Sequence, residues 1–594
     1  MIKNTNRRRA LLATALLALA PAGVFAATDF TTVIPAESLA AVWSNDLGAL
    51  RKGAEASPYG KLWNDPACEP LRQFVADKIA EFKKEMGEEG LTPEELEAVF
   101  SQSAAIYVRL LDGAKEPNFV VISELDEAGR ALMDKKVGEI GKNFVKPLKD
   151  SYEVDGISVF RVKGIPASAD ADSTLAPEET TAQYAFVDKH LVISDDAGET
   201  LMREAVATLK AAPETRKGLA SRPENALVGA SAKRADAVQF FMNTRASIEA
   251  SIKMAEDSTP EDATKTLAAF ETWGLLDLET LNVTVGFGAD STDYDATITT
   301  PKVKRGITKA LYTAGPQQMN ILSLAPKDSL SVTAFSLDVG AIIDESLAAL
   351  RTTNPEIAPM ADMYKGMAAQ QMGVDIIDEI LKNLSGEHLV VTRALTAETK
   401  AAMTPEEALL QNGTVAIFGL RNERVAAGLK TLFDKLTEDP ALGGTLERAE
   451  VDGMATVAQM GDPETPGALR PALAFDSKFL IVTNDHTQLP DMIRATKGKL
   501  AAPLAEEASF KAVNATIARE QLHYVSYTPA AAIAAALEQV AKFAAMSPET
   551  QEAGFDPTML PSPDVVKKYL GDSYAAGYLK EDGMVFTGKS LAAK

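Results

Sequence analysis

Apolar positions along the chain fall into two spacings, and the spacing changes from one segment to the next. In Thr280 to Phe287 the residues Leu281, Val283, Val285 and Phe287 alternate with Asn282, Thr284 and Gly286. That period of two predicts a strand with one core face and one solvated face. A short connection joins it to a second strand over Tyr294 to Thr299, and short connections pair strands antiparallel. The same reasoning predicts strands at Leu39 to Trp43, at Ala104 to Leu110 with Phe119 to Ser123, at Gly156 to Val162, and at Gln183 to Val187 with Leu191 to Ser194. Helical spacing fills the intervals: Pro70 to Met86, Gly198 to Ala211, Ala235 to Met254 and Pro529 to Met546. Asp46 has the position of an N-cap, and Thr92, Pro93, Glu94 and Glu95 form a capping box for a further helix. Strands in antiparallel pairs interrupted by helices predict an α+β fold, with helices packed on one face of a mainly antiparallel sheet.

The pattern also repeats. Pro35, Ser38, Leu39 and Asp46 to Leu50 recur as Pro326, Ser329, Leu330 and Asp338 to Ile342. Glu153, Val154, Asp155, Gly156 recurs without change as Glu450, Val451, Asp452, Gly453, and Ala185 to Asp196 aligns without a gap on Ala474 to Asp485. A helical stretch carrying an arginine, Arg203 or Arg494, follows each member of the last pair. His388 to Arg393 and Thr414 to Gly419 repeat the first strand pair in the second half, and Pro529 to Met546 stands where Val238 to Met254 does in the first. Three elements kept in order at a nearly constant offset predict two tandem diverged copies of one unit, residues 28–314 and 315–594. The expected join is at Ala314, Gly315 and Pro316.

The N-terminus breaks this plan. Lys3 and Arg7 to Arg9 precede an apolar run from Ala10 to Ala20 and a small-residue stretch to Ala27, the layout of a signal peptide. The apolar run is too short to span a hydrocarbon core about 30 Å thick. Residues 1–26 are therefore expected to be cleaved, after Ala26 or Ala27, for a periplasmic or secreted location. The general secretory route is preferred, with Arg8 and Arg9 leaving a twin-arginine route as the alternative. No later stretch approaches the roughly 18 consecutive apolar residues of a membrane-spanning helix. Cys68 is the only cysteine, so there is neither an intramolecular disulfide nor a thiol for a lipid beside the cleavage site.

Charge excludes one class of partner. The chain carries 60 Lys and Arg against 83 Asp and Glu, a formal net charge of −23, and without the signal's four basic residues it reaches −27. A nucleic-acid partner needs a basic footprint, and the chain has none downstream of the signal.

Candidate chemistry is sparse. The four histidines, His190, His388, His486 and His523, lack the close spacing of a zinc site, and His190 falls in a turn where the second half has Phe479. Cys68 lies among Pro66, Glu69 and Pro70, a setting that disfavours a thiolate and suits a small buried apolar residue. No nucleophile elbow or phosphate loop is present, and Gly286, Gly288, Gly443 and Gly444 lack the Lys and Ser/Thr of a Walker loop. Asp170 with Asp172, and Asp290 with Asp293 and Asp295, resemble calcium-loop fragments but lack the Asp-x-Asp-x-Asp-Gly run and its closing Glu, and read as solvated acidic loops. Three Trp, at 43, 63 and 273, make a poor sugar platform. No catalytic, cofactor-binding or metal-ligating residue is assigned. The small-residue face of Pro529 to Met546 fits a helix covering its own sheet, or the border of an apolar pocket.

Val33 to Leu39, followed by Asp46 to Leu50, Ser57 and Pro58 and the later element Ala104 to Leu110, resembles a class of uncharacterised exported bacterial proteins with a domain of unknown function. The resemblance implies an envelope location and an α+β unit, and carries over no catalytic residue. The expected function is a non-enzymatic exported envelope protein, a binding or scaffolding module for an unknown protein. A periplasmic carrier of an apolar small molecule is the alternative, and a hydrolase with an unrecognised site comes third.

Overall fold

A computed structural model of the chain describes residues 28–594 apart from 86–94, 96–98, 112, 115, 138–143, 167–179, 197, 223–233, 256–258, 402, 404–410, 439–445, 460–468 and 547–553. The expected signal segment, most of the expected capping box at Thr92 to Glu95, Asp170, Asp172, Gly443 and Gly444 lie outside the described residues. The chain is mixed helix and strand, and its sheet pairings are antiparallel.

By contacts the chain divides into two compact units. The first runs to Ala263 and takes in Glu279–Thr299; the second comprises Thr264–Leu278 and everything from Thr300. Strands of the first are β1 (Ala40–Ser44), β2 (Ser103–Arg109), β3 (Asn118–Glu124), β4 (Phe144–Val154), β5 (Ile157–Pro166), β6 (Thr180–Val187), β7 (His190–Ser194), β8 (Ala237–Met242), β9 (Thr280–Phe287) and β10 (Ser291–Thr299). They pair in the order β4-β5-β6-β7-β3-β2-β1-β8-β9-β10. The second unit has β11 (Ser329–Asp338), β12 (Leu384–Arg393), β13 (Gly413–Leu420), β14 (Leu446–Val451), β15 (Met454–Gln459), β16 (Ala472–Phe475), β17 (Phe479–Thr483), β18 (Leu522–Thr528), β19 (Leu570–Lys580) and β20 (Gly583–Ala592). Their order is β14-β15-β16-β17-β13-β12-β11-β18-β19-β20, the first unit's order with ten added to every number.

Turn chemistry sets the outer hairpins. Asp155 and Gly156 join β4 to β5 with φ of 48° and 78°, and Asp452 and Gly453 join β14 to β15 with 50° and 78°. Two successive left-handed residues make the turn whose twist matches that of antiparallel strands, and Asp-Gly adopts it readily. Helix starts are also fixed locally. Asp46 Oδ1 accepts from the Ala49 amide at 2.8 Å, and Asp338 Oδ1 from Ala341 at 3.0 Å.

Three expectations need correction. Helices do not keep to one face. In the first unit Val120, Ile122 and Val192 pack against the Phe30–Val33 and Thr200–Lys210 helices, while Val121 and Leu191 pack against Leu47–Ala56 and Glu127–Val137. In the second, Val415, Ile417 and Ile481 meet the helices Leu489–Thr496 and Ala508–Asn514, and Phe418 and Leu480 meet Arg424–Glu438. The cause is legible in the strands themselves: Phe119 to Ile122, Leu191 to Ile193 and Phe479 to Val482 are continuous apolar runs, as strands covered on both faces are.

The helix expected over Ala235 to Met254 is a strand, β8, followed by a helix, Thr244–Met254. Val238, Phe240 and Phe241 favour the pleated conformation, and Asn243 Oδ1 caps the helix by accepting from Ala246 at 3.0 Å. In β9 the polar side is the more buried one. Thr280, Asn282 and Thr284 are buried while Leu281, Val283, Val285 and Phe287 are half-buried. Thr284 donates to Gln239 at 2.6 Å and Thr280 pairs with Thr299 at 2.7 Å, so these hydroxyls enter the interior with partners.

Truncating a residue of the two-faced strands is therefore costly. Leu191→Ala and Ile481→Ala are each expected to destabilise by about 2–5 kcal/mol, and Asp46→Ala or Asp338→Ala by about 1 kcal/mol. Urea unfolding of the purified chain measures all four; equal losses for caps and strand centres would contradict this account.

Candidate functional site

One helix departs from the usual arrangement of apolar and small residues. Ala358–Met372 is rich in Ala, Met and Gln, which lose little on entering a helix, and carries Pro359 in its first turn. It stops at Gly373, which takes φ of 71° and donates its amide to Ala369 at 2.9 Å. The inward positions are Ala358, which is buried, and Ala361, Lys365, Ala369 and Met372, which are half-buried. The large apolar side chains face out: Ile357 is 42 % exposed, Met360 49 %, Met363 52 %, Tyr364 64 % and Met367 57 %. Their spacing puts them on one stripe about 15 Å long.

Ion pairs hold the ground around this stripe. Arg351 Nη2 meets Asp362 Oδ1 at 3.0 Å. Lys365 Nζ meets Asp375 at 3.3 Å and also Asp378, and Lys382 Nζ meets Asp378 at 2.8 Å and also Asp344. Hydrogen bonds from Lys365 and then Lys382 pull the Asp378 carboxyl down to about 2. Asp375 in turn accepts the amides of Ile377 and Asp378 at 3.0 and 2.9 Å. At the corresponding place in the first unit, between β1 and β2, the helices Pro58–Trp63 and Glu69–Glu85 expose Tyr59, Trp63, Val75 and Ile79.

An open pocket of about 430 Å³ lies elsewhere in the second unit, lined by Ser509, Val513, Thr516, Ala530, Asp572 and Tyr574 among others. At its floor Asp572 accepts from the Tyr527 hydroxyl at 2.6 Å and from the Ala530 amide at 2.9 Å. Burial, and then the Asp572 hydrogen bond, push the Tyr527 phenol well above its usual range. The helix Ala530–Met546 beside it lies against β11 and β19 and buries Ala532 and Ala534, covering its own sheet.

The histidines are dispersed. His190, buried at the start of β7, has Nε2 3.0 Å from Thr28 Oγ1, which donates to Glu124 Oε2 at 2.6 Å. Ser103 donates to the same oxygen at 3.0 Å and Lys189 pairs with the other. His388 is buried between the rings of Phe335 and Phe418, with Nε2 3.0 Å from the Leu337 carbonyl. His486 Nε2 lies 3.3 Å from Arg470, and the His523 ring lies between the carbonyls of Gln521 and Ala314, 2.8 Å from each. Among the described residues no group of three or more His, Cys, Asp or Glu side chains is placed to hold a metal ion. Cys68 is buried, and burial pushes its thiol up. Asp293 is engaged by Arg234 at 3.1 Å and by Ser291 at 2.7 Å.

Sequence reasoning missed the outward stripe. Its signal was present in the Met360, Met363, Tyr364, Met367 spacing. The opposite side of that helix, however, is also uncharged for most of its length, so pattern alone did not say which side faced in.

No family model and no curated protein matches the chain. Among solved structures, crystal form I of TP0453 is similar at 11 % identity over 48 % of this chain and 83 % of that one, with a TM-score of 0.19. A likeness of that degree carries no argument about fold or function.

The buried histidines make stability depend on pH. Burial lowers the pKa of both His190 and His388. As pH falls through about 6.5 the unfolded chain takes up protons first, so stability declines from there down to the folded-state values. Burial alone would raise Glu124, but hydrogen bonds from Lys189, Thr28 and Ser103 outweigh it and hold the carboxyl below its usual range. Its contribution is lost only below about pH 4.3. His190→Phe, the residue type of Phe479, is expected to flatten the decline between about pH 6.5 and 5 in urea midpoints. An unchanged slope would exclude His190 as its source.

Proposed function

We propose that the chain is an exported, non-enzymatic binding module, made of two diverged copies of one α+β unit, that docks a partner protein on the outward helix face of its second unit. The observation that carries this reading is the outward placement of Met360, Met363, Tyr364 and Met367, a face larger than scattered exposed apolar residues make.

Support for the duplication comes from equivalent bonds as well as equivalent strand order. Asp195 Oδ1 accepts from the Phe119 amide at 2.8 Å, and Asn484 Oδ1 from Thr414 at 2.7 Å. Asp196 donates its amide to Ser194 Oγ at 3.1 Å, and Asp485 to Thr483 Oγ1 at 3.0 Å. Leu219 donates to the Ile34 carbonyl at 2.9 Å, and Leu504 to Ala325 at 2.8 Å. Side chains that differ in identity but repeat in bonding are what divergence from one unit leaves. The copies are taken as 28–314 and 315–594, and export as removal of the first 26 or 27 residues.

A second reading, carriage of an apolar small molecule, is favoured by the 430 Å³ pocket, whose size is that of a small ligand site. Native mass spectrometry of the chain gently purified from its own envelope separates the two. The expected spectrum shows a mature chain beginning at Ala27 or Thr28 with a stoichiometric protein partner, lost in a variant carrying Met360→Ser and Met367→Ser. A lipid-like mass retained by that variant would move the function to the pocket. A protein partner indifferent to both substitutions would remove the helix face from the function.

A further inference from the structure

We propose that the partner segment received by the outward stripe is a basic amphipathic helix. This rests on the docking reading above and names the chemistry of what docks. The stripe itself, Ile357, Met360, Met363, Tyr364 and Met367, has the three-and-four spacing that one helix face presents to another. Methionine is unbranched and polarizable, so three of them adapt to a partner's side chains better than a rigid aliphatic surface.

The rim decides the sign of the partner. Residues 339–383 hold seven carboxylates, Asp344, Glu345, Glu356, Asp362, Asp375, Asp378 and Glu379, against three cations. All three cations are already neutralised within that segment: Arg351 by Asp362, Lys365 by Asp375 and Asp378, and Lys382 by Asp378 and Asp344. Glu345 is in turn paired with Lys309 from outside the segment, so a net −3 remains on the segment that carries the apolar stripe. A partner with Lys or Arg flanking its own apolar face meets complementary charge on docking.

The same rim disfavours the other occupants. A second copy docked face to face would set carboxylates against carboxylates, because a two-fold interface brings the same patch to itself. An anionic bilayer is repelled for the same reason. Docking of the helix is apolar contact first and charge second. The affinity therefore falls when the stripe is cut, and the choice of partner relaxes when the rim is neutralised.

The test uses the full mature chain and two labelled helical peptides with the same leucine face, one with lysine and one with glutamate on the polar side, read by fluorescence anisotropy. The lysine peptide is expected to bind at least about tenfold tighter than the glutamate peptide, and to weaken as ionic strength rises from about 0.05 to about 0.5 M. Because the chain is acidic overall, the decisive arm is Met360→Ser with Met367→Ser, which is expected to reduce lysine-peptide affinity at least tenfold while the urea midpoint stays unchanged. Glu356→Gln with Asp362→Asn is expected to narrow the gap between the peptides. Equal binding of both peptides, or lysine-peptide binding indifferent to the stripe variant, overturns the proposal. Stripe-dependent binding to phosphatidylcholine vesicles without peptide binding also overturns it, in favour of a lipid surface. If neither peptide binds but a protein partner is lost from the native mass spectrum of the stripe variant, this inference falls and the docking reading stands. If that partner is absent as well, both fall.

Discussion

Burial of the central strands from both sides is the constraint on which the rest of the structure depends. β3 and β7 in the first unit, β13 and β17 in the second, are covered on both faces over most of their length, with Val482 of β17 left exposed, because successive residues such as Leu191 and Val192, or Leu480 and Ile481, enter different apolar clusters. Each fully buried side chain of that size contributes roughly 1.5–3 kcal/mol. A strand whose two faces are both apolar gains that contribution from residues on each face. The outcome is a requirement for covering helices above and below. The helices before and after these strands in sequence supply them, which fixes where Leu47–Ala56, Thr200–Lys210, Arg424–Glu438 and Leu489–Thr496 must lie.

That demand makes the helix Ala358–Met372 informative. Neighbouring helices give their large side chains to the sheet, as Arg424–Glu438 does with Val425, Leu429 and Phe433. This one turns alanines inward and methionines outward. Reversing it would place more apolar surface in the interior, and its exposed face is apolar at a cost in solubility. A chain with so large an excess of acid tolerates that cost, since net charge keeps it dispersed while the patch stays available.

Much of the fold was legible in the sequence. The hairpins over Gln183 to Ser194 and Thr280 to Thr299, the cap at Asp46 and the helix near Gly198 to Ala211 follow from local rules, and the structure has them within three residues. β8 is hidden in the sequence, because Ala235 to Met254 is apolar enough for either spacing and only the Asn243 cap divides the strand from the helix. The second helix layer does not follow from strand pairing alone, because a continuous run such as Phe119 to Ile122 announces a strand and a need for cover on both faces, while some of the helices that supply it come from distant parts of the chain. Polar burial in β9 depends on Gln239 and Thr299, which come from other strands, and no local pattern announces such partners. The stripe was hidden for a different reason: spacing gives a face its composition, but only packing says which way it points.

Hydrogen–deuterium exchange of the full mature chain, with and without the lysine-bearing helical peptide, tests the central claim most directly. The account predicts slowed exchange confined to Ile357 to Met372 and the adjoining Asp375 to Lys382. Slowed exchange instead at Ala508 to Thr516 and Pro563 to Tyr574 would place binding at the pocket, and no change anywhere in the second unit would contradict a docking surface there.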